Sequence, residues 1–586
     1  MQRSNRRFRI WLHRTLPILQ WGPNYRRADL RGDLSAGLTV GIMLIPQGMA
    51  YALLAGVPPI YGLYAALLPP FVYAVFGTSP QLSVGPVAIL SLVVSAGLAG
   101  IVARTQLPYL ELAALLTIMV GVLMVVFGLF RLGFLVNFLS YPVLSGFTSA
   151  AAVIIGISQL KHLLGVEVAR RPRILGTLEE LWPRIPETNF PTLFIALIGL
   201  GIILYLKRVK SLLPAPLLVV VLGILAVWLL KLNYKGVSVV GDVPEGLPPF
   251  AVPLFDWELI KMMFPLALTV ALIGYVQSIA VAKKVQEGHK YYRINPNQEL
   301  VALGLSNFAG SFFGSFPVTG GFARTVVNDQ AGARTGLASI ITATLIGLTL
   351  LFLTPLFYFL PNAILGAIIM GAVINLFNFK TAKYLARRDT RDFLLLVATF
   401  LATLIFGITN GILIGVGLSL AMVVYFSTRP HVAELGRIPG TDHFRNVRRH
   451  RGLLTDPEVL ILRYDAQLYF ANAEFFERIV LAKVDTKGKE LKLVIINCYG
   501  INHVDSTALN TLREVLETLD KRGIQVYFIG MIGPIRDAFK KYGITRLVGE
   551  DHFHISITEA LNFYQRPGNS VHRNYALQSD ELRNFE

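Results

Sequence analysis

Two short stretches decide how this chain folds: Ser83-Val84-Gly85-Pro86 and Thr319-Gly320-Gly321-Phe322-Ala323-Arg324-Thr325. Each breaks an apolar background with glycine, and each is followed by helix-forming sequence. Inside a membrane, non-helical backbone survives only where protein or a water-filled cavity surrounds it. A pair of interrupted segments in corresponding halves of a chain points to a transport site at their meeting place. The second stretch adds one arginine, Arg324.

The background supports a membrane reading. Of 586 residues, 54% are hydrophobic and only 15% charged, against about 25% charged in a typical soluble domain. The deficit is confined to residues 32–428; from about residue 430 the composition is that of a soluble domain. The net charge of +18 does not indicate nucleic acid, because the basic residues fall in short loops and at the N-terminus, the pattern of the positive-inside rule. Cys498 is the only cysteine, which excludes a disulfide framework; in its apolar run it reads as a plain buried thiol. The basic N-terminus (Arg3, Arg6, Arg7, Arg9) is followed by no cleavage-type apolar stretch, so no cleavable signal peptide is expected.

Spans of about 20 apolar residues are expected near 33–54, 61–77, 83–100, 108–129, 139–160, 190–206, 214–231, 259–282, 298–313, 321–331, 335–356, 361–377, 392–407 and 411–428. With the N-terminus cytoplasmic, the inside connections carry Arg131; Lys207, Arg208, Lys210; Lys283, Lys284, Lys290, Arg293; and Lys380, Lys383, Arg387, Arg388. One outside connection, 161–189, opposes the trend weakly with Lys161, Arg170, Arg171, Arg173 and Arg184, offset by Glu167, Glu179, Glu180 and Glu187. Fourteen spans place both termini inside and divide into two halves of seven. An odd repeat inverts the second half. Faint echoes agree: Gln47-Gly48-Met49-Ala50 with Gln277-Ser278-Ile279-Ala280, and Tyr141-Pro142-Val143-Leu144 with Leu360-Pro361-Asn362-Ala363.

Arg324 is the sharpest site candidate, since a charge at bilayer depth is functional by default and a guanidinium matches oxyanions bidentately. The bland alternative is an internal pair with Asp329 or a snorkelling arginine. The two half-helix starts would add free N–H groups and partial positive charge. Gly85 and Gly320-Gly321 would let backbone approach a ligand, and Pro86 fits a first helical turn; the alternative is mere kinks. Gln47 and Tyr51 share a helix face and Gln277 takes the matching place in the other half; substrate contact and interhelical packing compete for them. Val87, Phe322 and Ala323 adjoin the breaks, and Ser83, Thr319 and Thr325 are small polar residues equally suited to satisfying backbone. No metal cluster, no phosphate-binding loop and no nucleophile–base pair is visible, so neither a cofactor, ATP-driven transport nor an enzyme is expected.

The tail alternates Val459-Leu460-Ile461-Leu462, Leu493-Val494-Ile495-Ile496 and Val526-Tyr527-Phe528-Ile529 with helices near 472–484, 506–521, 534–542 and 556–565, a small α/β domain. Val504-Asp505-Ser506-Thr507-Ala508 opens the second helix; Asp505 or Ser506 caps it, or Ser506 and Thr507 form a phosphorylation or docking site.

These residues resemble the sulfate permease family. Leu44-Ile45-Pro46-Gln47-Gly48-Met49-Ala50-Tyr51, Val57-Pro58-Pro59-Ile60-Tyr61-Gly62-Leu63-Tyr64, Ser83-Val84-Gly85-Pro86-Val87-Ala88, Asn297-Gln298-Glu299-Leu300 and Pro361-Asn362-Ala363-Ile364-Leu365 carry the likeness, and the tail resembles the family's STAS domain. The resemblance implies a seven-plus-seven inverted membrane fold with core and gate domains, shared with the nucleobase permeases of UraA type, and often a homodimer. It places substrate at Gln47, Tyr51, Gly85, Val87, Ala323 and Arg324. Two departures stand out: Gln277 replaces a glutamate associated with proton coupling, and Ala323 replaces a common serine. The expected organisation is an N-terminal segment 1–28, a membrane domain 29–430, a linker 431–455, a STAS domain 456–566 and a tail 567–586. The expected function is secondary transport of small anions, sulfate first, by alternating access. Bicarbonate, chloride or dicarboxylate transport is the first alternative; a voltage-responsive or signalling role through the tail is the second. The expected setting is a prokaryotic inner membrane, with a cytoplasmic protein partner open to the STAS domain and no nucleic-acid partner.

Overall fold

The computed structural model describes residues 15–134, 140–168, 174–209, 214–374, 376, 377 and 379–566. Most of the N-terminal segment, Arg170, Arg171, Arg173, Lys210 and the tail beyond 566 lie outside the described residues. The chain forms two compact units, divided at Ser419 and Leu420.

In the first unit the apolar runs become helices: α1 (Arg27–Ala55), α2 (Ile60–Tyr64), α3 (Leu68–Phe76), α4 (Ala88–Thr105), α5 (Tyr109–Leu129), α6 (Tyr141–Leu164), α7 (Phe190–Arg208) and α8 (Ala215–Leu230). The second half follows as α9 (Trp257–Gln286), α10 (Pro296–Ser311), α11 (Phe322–Gln330), α12 (Leu337–Phe352), α13 (Asn362–Val373), the amphipathic α14 (Phe379–Arg388), α15 (Thr390–Phe406) and α16 (Ile408–Thr428). Counting α2 and α3 as one broken segment and setting α14 aside, these make fourteen helical segments, seven in each half; among the described residues seven are long and apolar enough to cross a membrane, and four more are shorter apolar helices. Two packing groups emerge. Helices α1, α3, α4, α5, α9, α10, α11 and α12 pack among themselves, as do α6, α7, α13 and α15. The heaviest packing joins helices far apart in sequence: α5 with α10, α6 with α15, and α1 with α12.

Both breaks are extended. Val84–Gly85 (β1) and Thr319–Gly320 (β2) form an antiparallel two-residue ladder, Val84 opposite Gly320 and Gly85 opposite Thr319. The third helix therefore starts at Ala88 rather than residue 83. Pro86 is not in its first turn: the cap is Val87, and Pro86 lies one residue outside. The reason is the ladder, which holds 84–85 extended and lets the helix begin only after the chain has left it.

Buried polar residues hold the non-helical connections in the low-dielectric interior, where an unmade hydrogen bond is costly. Glu299 on α10 accepts from Tyr73 Oη (2.7 Å), Thr78 N (2.7 Å) and Thr78 Oγ1 (2.6 Å). Asp33 on α1 accepts from Arg334 N (2.7 Å), Thr335 N (3.0 Å) and Thr335 Oγ1 (2.6 Å). Asn307 clamps both backbone groups of Val318 at 2.8 and 3.0 Å, one residue before β2.

The second unit is a six-stranded sheet in the order β4-β3-β5-β6-β7-β8, built from β3 (Val432–Arg437), β4 (Phe444–Asn446), β5 (Val459–Tyr464), β6 (Leu493–Asn497), β7 (Gln525–Ile529) and β8 (Phe553–His554). Strands β5 to β8 are parallel; β3 and β4 add an antiparallel edge. Helices α17 (Ala473–Lys487), α18 (Ser506–Lys521) and α19 (Gly533–Lys541) cover one face through Phe476, Leu512 and Phe539. Helix α20 (Ile557–Gln565) covers the other through Ile557 and Ala560. Residues 431–455, expected as a linker, instead supply β3 and β4: Val432 pairs with Tyr464 and Glu434 with Leu462, which makes the segment part of the sheet. Asp505 caps α18, its Oδ1 accepting from Ala508 N at 2.8 Å and its Oδ2 from Phe470 N at 2.8 Å. Ser506 and Thr507 are exposed in the first turn.

Two measurements check this packing. Glu299→Ala leaves Tyr73 Oη and the two Thr78 donors without their acceptor, and is expected to cost roughly 2–4 kcal/mol, read as a lowered melting temperature in detergent; an unchanged midpoint contradicts the clamp. Burial pushes the Cys498 thiol up to about 12. At pH 8 roughly one in ten thousand is thiolate, so maleimide labelling of the folded protein is expected to be negligible and to appear only on denaturation.

Candidate anion site

The ladder fixes two helix N-termini at one place. Because β1 and β2 are antiparallel, the helices that follow them, α4 and α11, leave in opposite directions and bring their N-termini in from opposite sides. Their cap residues, Val87 and Gly321, supply no side-chain cap. The first-turn N–H groups of both helices therefore remain as donors, each end carrying about half a positive charge.

Several short bonds lock the ladder. Gly321 N donates to Ser83 O (2.9 Å), and Ser83 N to Thr325 Oγ1 (3.1 Å). Ser278 on α9 accepts from Gly320 N (2.7 Å) and shares a 2.5 Å bond with Thr319 Oγ1, which in turn donates to Gly274 O at 2.5 Å. Thr325 and Thr319 thus hold backbone. Ser278 was not singled out by the sequence; its neighbour Gln277 was. The signal was the small-residue spacing Gly274-x-x-x-Ser278, where a helix lets another backbone come close.

Arg324 is 2% exposed. Its Nε donates to Ser83 Oγ (3.3 Å) and its Nη1 to the Pro86 carbonyl (2.8 Å). Its Nη2 is buried and has no hydrogen-bond partner among the described residues. No carboxylate lies within ion-pair distance of it among the described residues: Asp329, the internal partner considered above, is instead bound to His289 at 2.6 Å. Both acceptors are neutral, so the guanidinium keeps its full charge with a donor to spare. Tyr51 on α1 is buried and close enough to Arg324 for the two to interact electrostatically.

Two glycines make room for this side chain. A Cβ on Gly321 would stand 2.8 Å from Arg324 Cζ and Nη2. Gly85 has φ +154°, and a Cβ there would stand 3.4 Å from Nη2. The guanidinium lies flat against backbone that only glycine leaves bare.

The structure brings together Ser83, Gly85, Pro86, Val87, Gly321, Arg324, Thr325 and Tyr51. Gln47 is buried on the same helix as Tyr51. Gln277 makes no bond to the ladder, and its buried Oε1 accepts no hydrogen bond among the described residues. Phe322 and Ala323 are exposed in the first turn of α11 and contribute backbone rather than polar side chains. The arrangement sets one buried guanidinium among neutral dipoles. Nothing in it is a nucleophile or a general base; what it can do is hold an anion reversibly.

Gly321→Ala tests the cradle. The clashing atoms are the far end of a flexible side chain, so the fold is expected to survive with a melting temperature within a few degrees of wild type. Displacing the guanidinium is expected to weaken anion protection against thermal unfolding at least about tenfold, the loss of one charge-assisted hydrogen bond. Wild-type protection would contradict the geometry.

Known proteins resemble this chain in sequence and in fold. A sulfate permease family model matches residues 30–399, and a STAS domain model matches residues 452–560. The chain is 38% identical over 570 residues to the chloroplastic sulfate transporter 4.1 of Arabidopsis thaliana, covering 94% of this chain and 82% of that one. The murine anion transporter Slc26a9, solved in its inward-facing state, aligns with a TM-score of 0.87 at 27% identity, covering 95% of each chain. The transmembrane domain of the cyanobacterial bicarbonate transporter BicA aligns at 0.58 and 26% identity, covering 68% of this chain and 97% of that one.

Proposed function

The chain belongs to the sulfate permease family, and from that premise we propose that it is a multi-pass membrane transporter that carries sulfate by secondary-active alternating access. The observation that carries the reading is the buried, unpaired Nη2 of Arg324 between two uncapped helix N-termini. A sulfate oxygen at that place takes one donor from the guanidinium and others from first-turn N–H groups of α4 and α11, without a metal or a second arginine. Gln47 and Tyr51 supply hydroxyl and amide contacts from α1, and Gln277 an amide from α9; Gly85, Pro86, Val87, Phe322, Ala323 and Thr325 shape the walls. The anion releases readily because much of its binding is dipolar.

The chain's place in this reading is a cell membrane with both termini cytoplasmic, as a homodimer, with the STAS unit free to meet a cytoplasmic protein. The exposed Ser506 and Thr507 at the start of α18 are where such control would act. Bicarbonate is the second substrate to test, favoured by the likeness to the BicA transmembrane domain and by Ala323, which offers a larger oxyanion no hydroxyl.

Radiolabelled sulfate uptake into proteoliposomes is the test. Arg324→Ala removes two hydrogen bonds from a charged group and the charge itself, and is expected to lower uptake by about a hundredfold or more; wild-type uptake in that variant removes Arg324 from the site. Uptake is expected to require an anion on the far side and to ignore an imposed pH gradient, because the Gln277 amide cannot titrate. Gradient-driven uptake overturns the exchange reading, and uptake of bicarbonate alone replaces sulfate as substrate.

A further inference from the structure

Helix α14 plays no part in the candidate anion site, yet among the described residues of the membrane unit it carries a dense run of unpaired positive charge. Its ten residues, Phe379–Arg388, include Lys380, Lys383, Arg387 and Arg388 and no acidic residue. None of the four cations has an ion-pair partner among the described residues. The nearest acid in sequence, Asp389, is committed to capping α15, accepting from Arg391 N (3.0 Å) and Asp392 N (3.2 Å); Asp392 lies in that helix's first turn.

The two faces of α14 differ. Leu385 is buried, Thr381 and Ala382 are half-buried, and Thr381 Oγ1 bonds to Tyr141 Oη at 2.9 Å, fixing the inner face to the start of α6. The outer face consists of two adjoining rows with four-residue spacing, Phe379-Lys383-Arg387 and Lys380-Tyr384-Arg388. Phe379 and Tyr384, 72% and 64% exposed, are interleaved with the cations. Helices α13 and α15, which flank α14 in sequence, both belong to the membrane bundle, so α14 lies where a span ends. A short helix with aromatic and basic residues on one face, placed at the end of a span, matches the chemistry of the lipid interface: rings settle at the acyl boundary and long basic chains reach the phosphates.

We propose that the outer face of α14 is a binding site for the phosphate headgroups of anionic phospholipids. Charge complementarity selects the occupant: four uncompensated cations within nine residues attract a negative surface, and guanidinium forks bind phosphate bidentately. The interleaved rings favour a lipid over a free ion, since a free anion gains nothing from Phe379 or Tyr384. The site is separate from Arg324 and stands whichever anion is carried.

The full chain in nanodiscs tests it, with trace photoactivatable phosphatidylglycerol or phosphatidylcholine and peptide mapping of the labelled sites. Phosphatidylglycerol is expected to label 379–388 at least about tenfold more than phosphatidylcholine. K380Q/K383Q/R387Q/R388Q is expected to erase that preference, and F379A/Y384A to lower labelling by both probes. If the quadruple variant does not purify, K383Q/R387Q gives the same comparison at smaller amplitude. Equal labelling by the two probes, a preference that survives the charge variants, or complete displacement by millimolar inorganic phosphate would each overturn the lipid site.

Discussion

The structure depends on one buried charge, Arg324, that has no counter-ion among the described residues. Taking a guanidinium out of water costs several kcal/mol even after relaxation, and Arg324 recovers part of that from two neutral acceptors, Ser83 Oγ and the Pro86 carbonyl. Both belong to the first break, whereas Arg324 belongs to the second. The arginine is tolerated only because the two breaks are pinned together, and the ladder of Val84, Gly85, Thr319 and Gly320 is therefore the condition for its burial. A carboxylate in place of those acceptors would have satisfied the charge more fully and left nothing for an anion to do.

Holding four extended residues inside a helical bundle demands polar fastening, since each unpaired backbone group in that environment is costly. Ser278 and Asn307 serve the second break directly. Asp33 and Glu299 fasten the loops on either side of the half-helices. Most of the polar side chains around the two breaks are spent on holding backbone, which keeps the two helix N-termini in place.

Much of this was legible because membranes limit the choices. Apolar runs of span length can only be helices there, so the segments fell close to their expected places, and glycines beside an isolated arginine marked the breaks. The starts of helices were less legible. Pro86 fits a first turn by propensity, but the ladder, which pairs residues 234 and 236 apart in sequence, delays the helix to Ala88. The same limit hid β3: Val432–Arg437 carries two charged residues and no clean alternation, and only pairing with the buried β5 makes it a strand. Ser278 was missed for a third reason. The Gly274-x-x-x-Ser278 spacing marks only a place where another backbone can come close, and the role of the serine exists only once Gly320 is brought against it.

The uncompensated charge also bears on how the carrier would cycle. The family resemblance sets a glutamate associated with proton coupling where this chain has Gln277, and an amide carries no charge and cannot titrate. Among the described residues no carboxylate pairs with Arg324. In the proposed reading, then, the empty site must carry a bare guanidinium through the closed intermediate between its two open states, at the cost of an unpaired buried cation. The loaded site passes the same point with that charge matched. Every 1.4 kcal/mol of difference slows the empty return about tenfold relative to the loaded one. A difference of a few kcal/mol suffices to make the carrier turn over only when an anion waits on each side. Within the proposed reading, an unpaired Arg324 favours exchange, facilitated transport or coupling to another ion over proton symport.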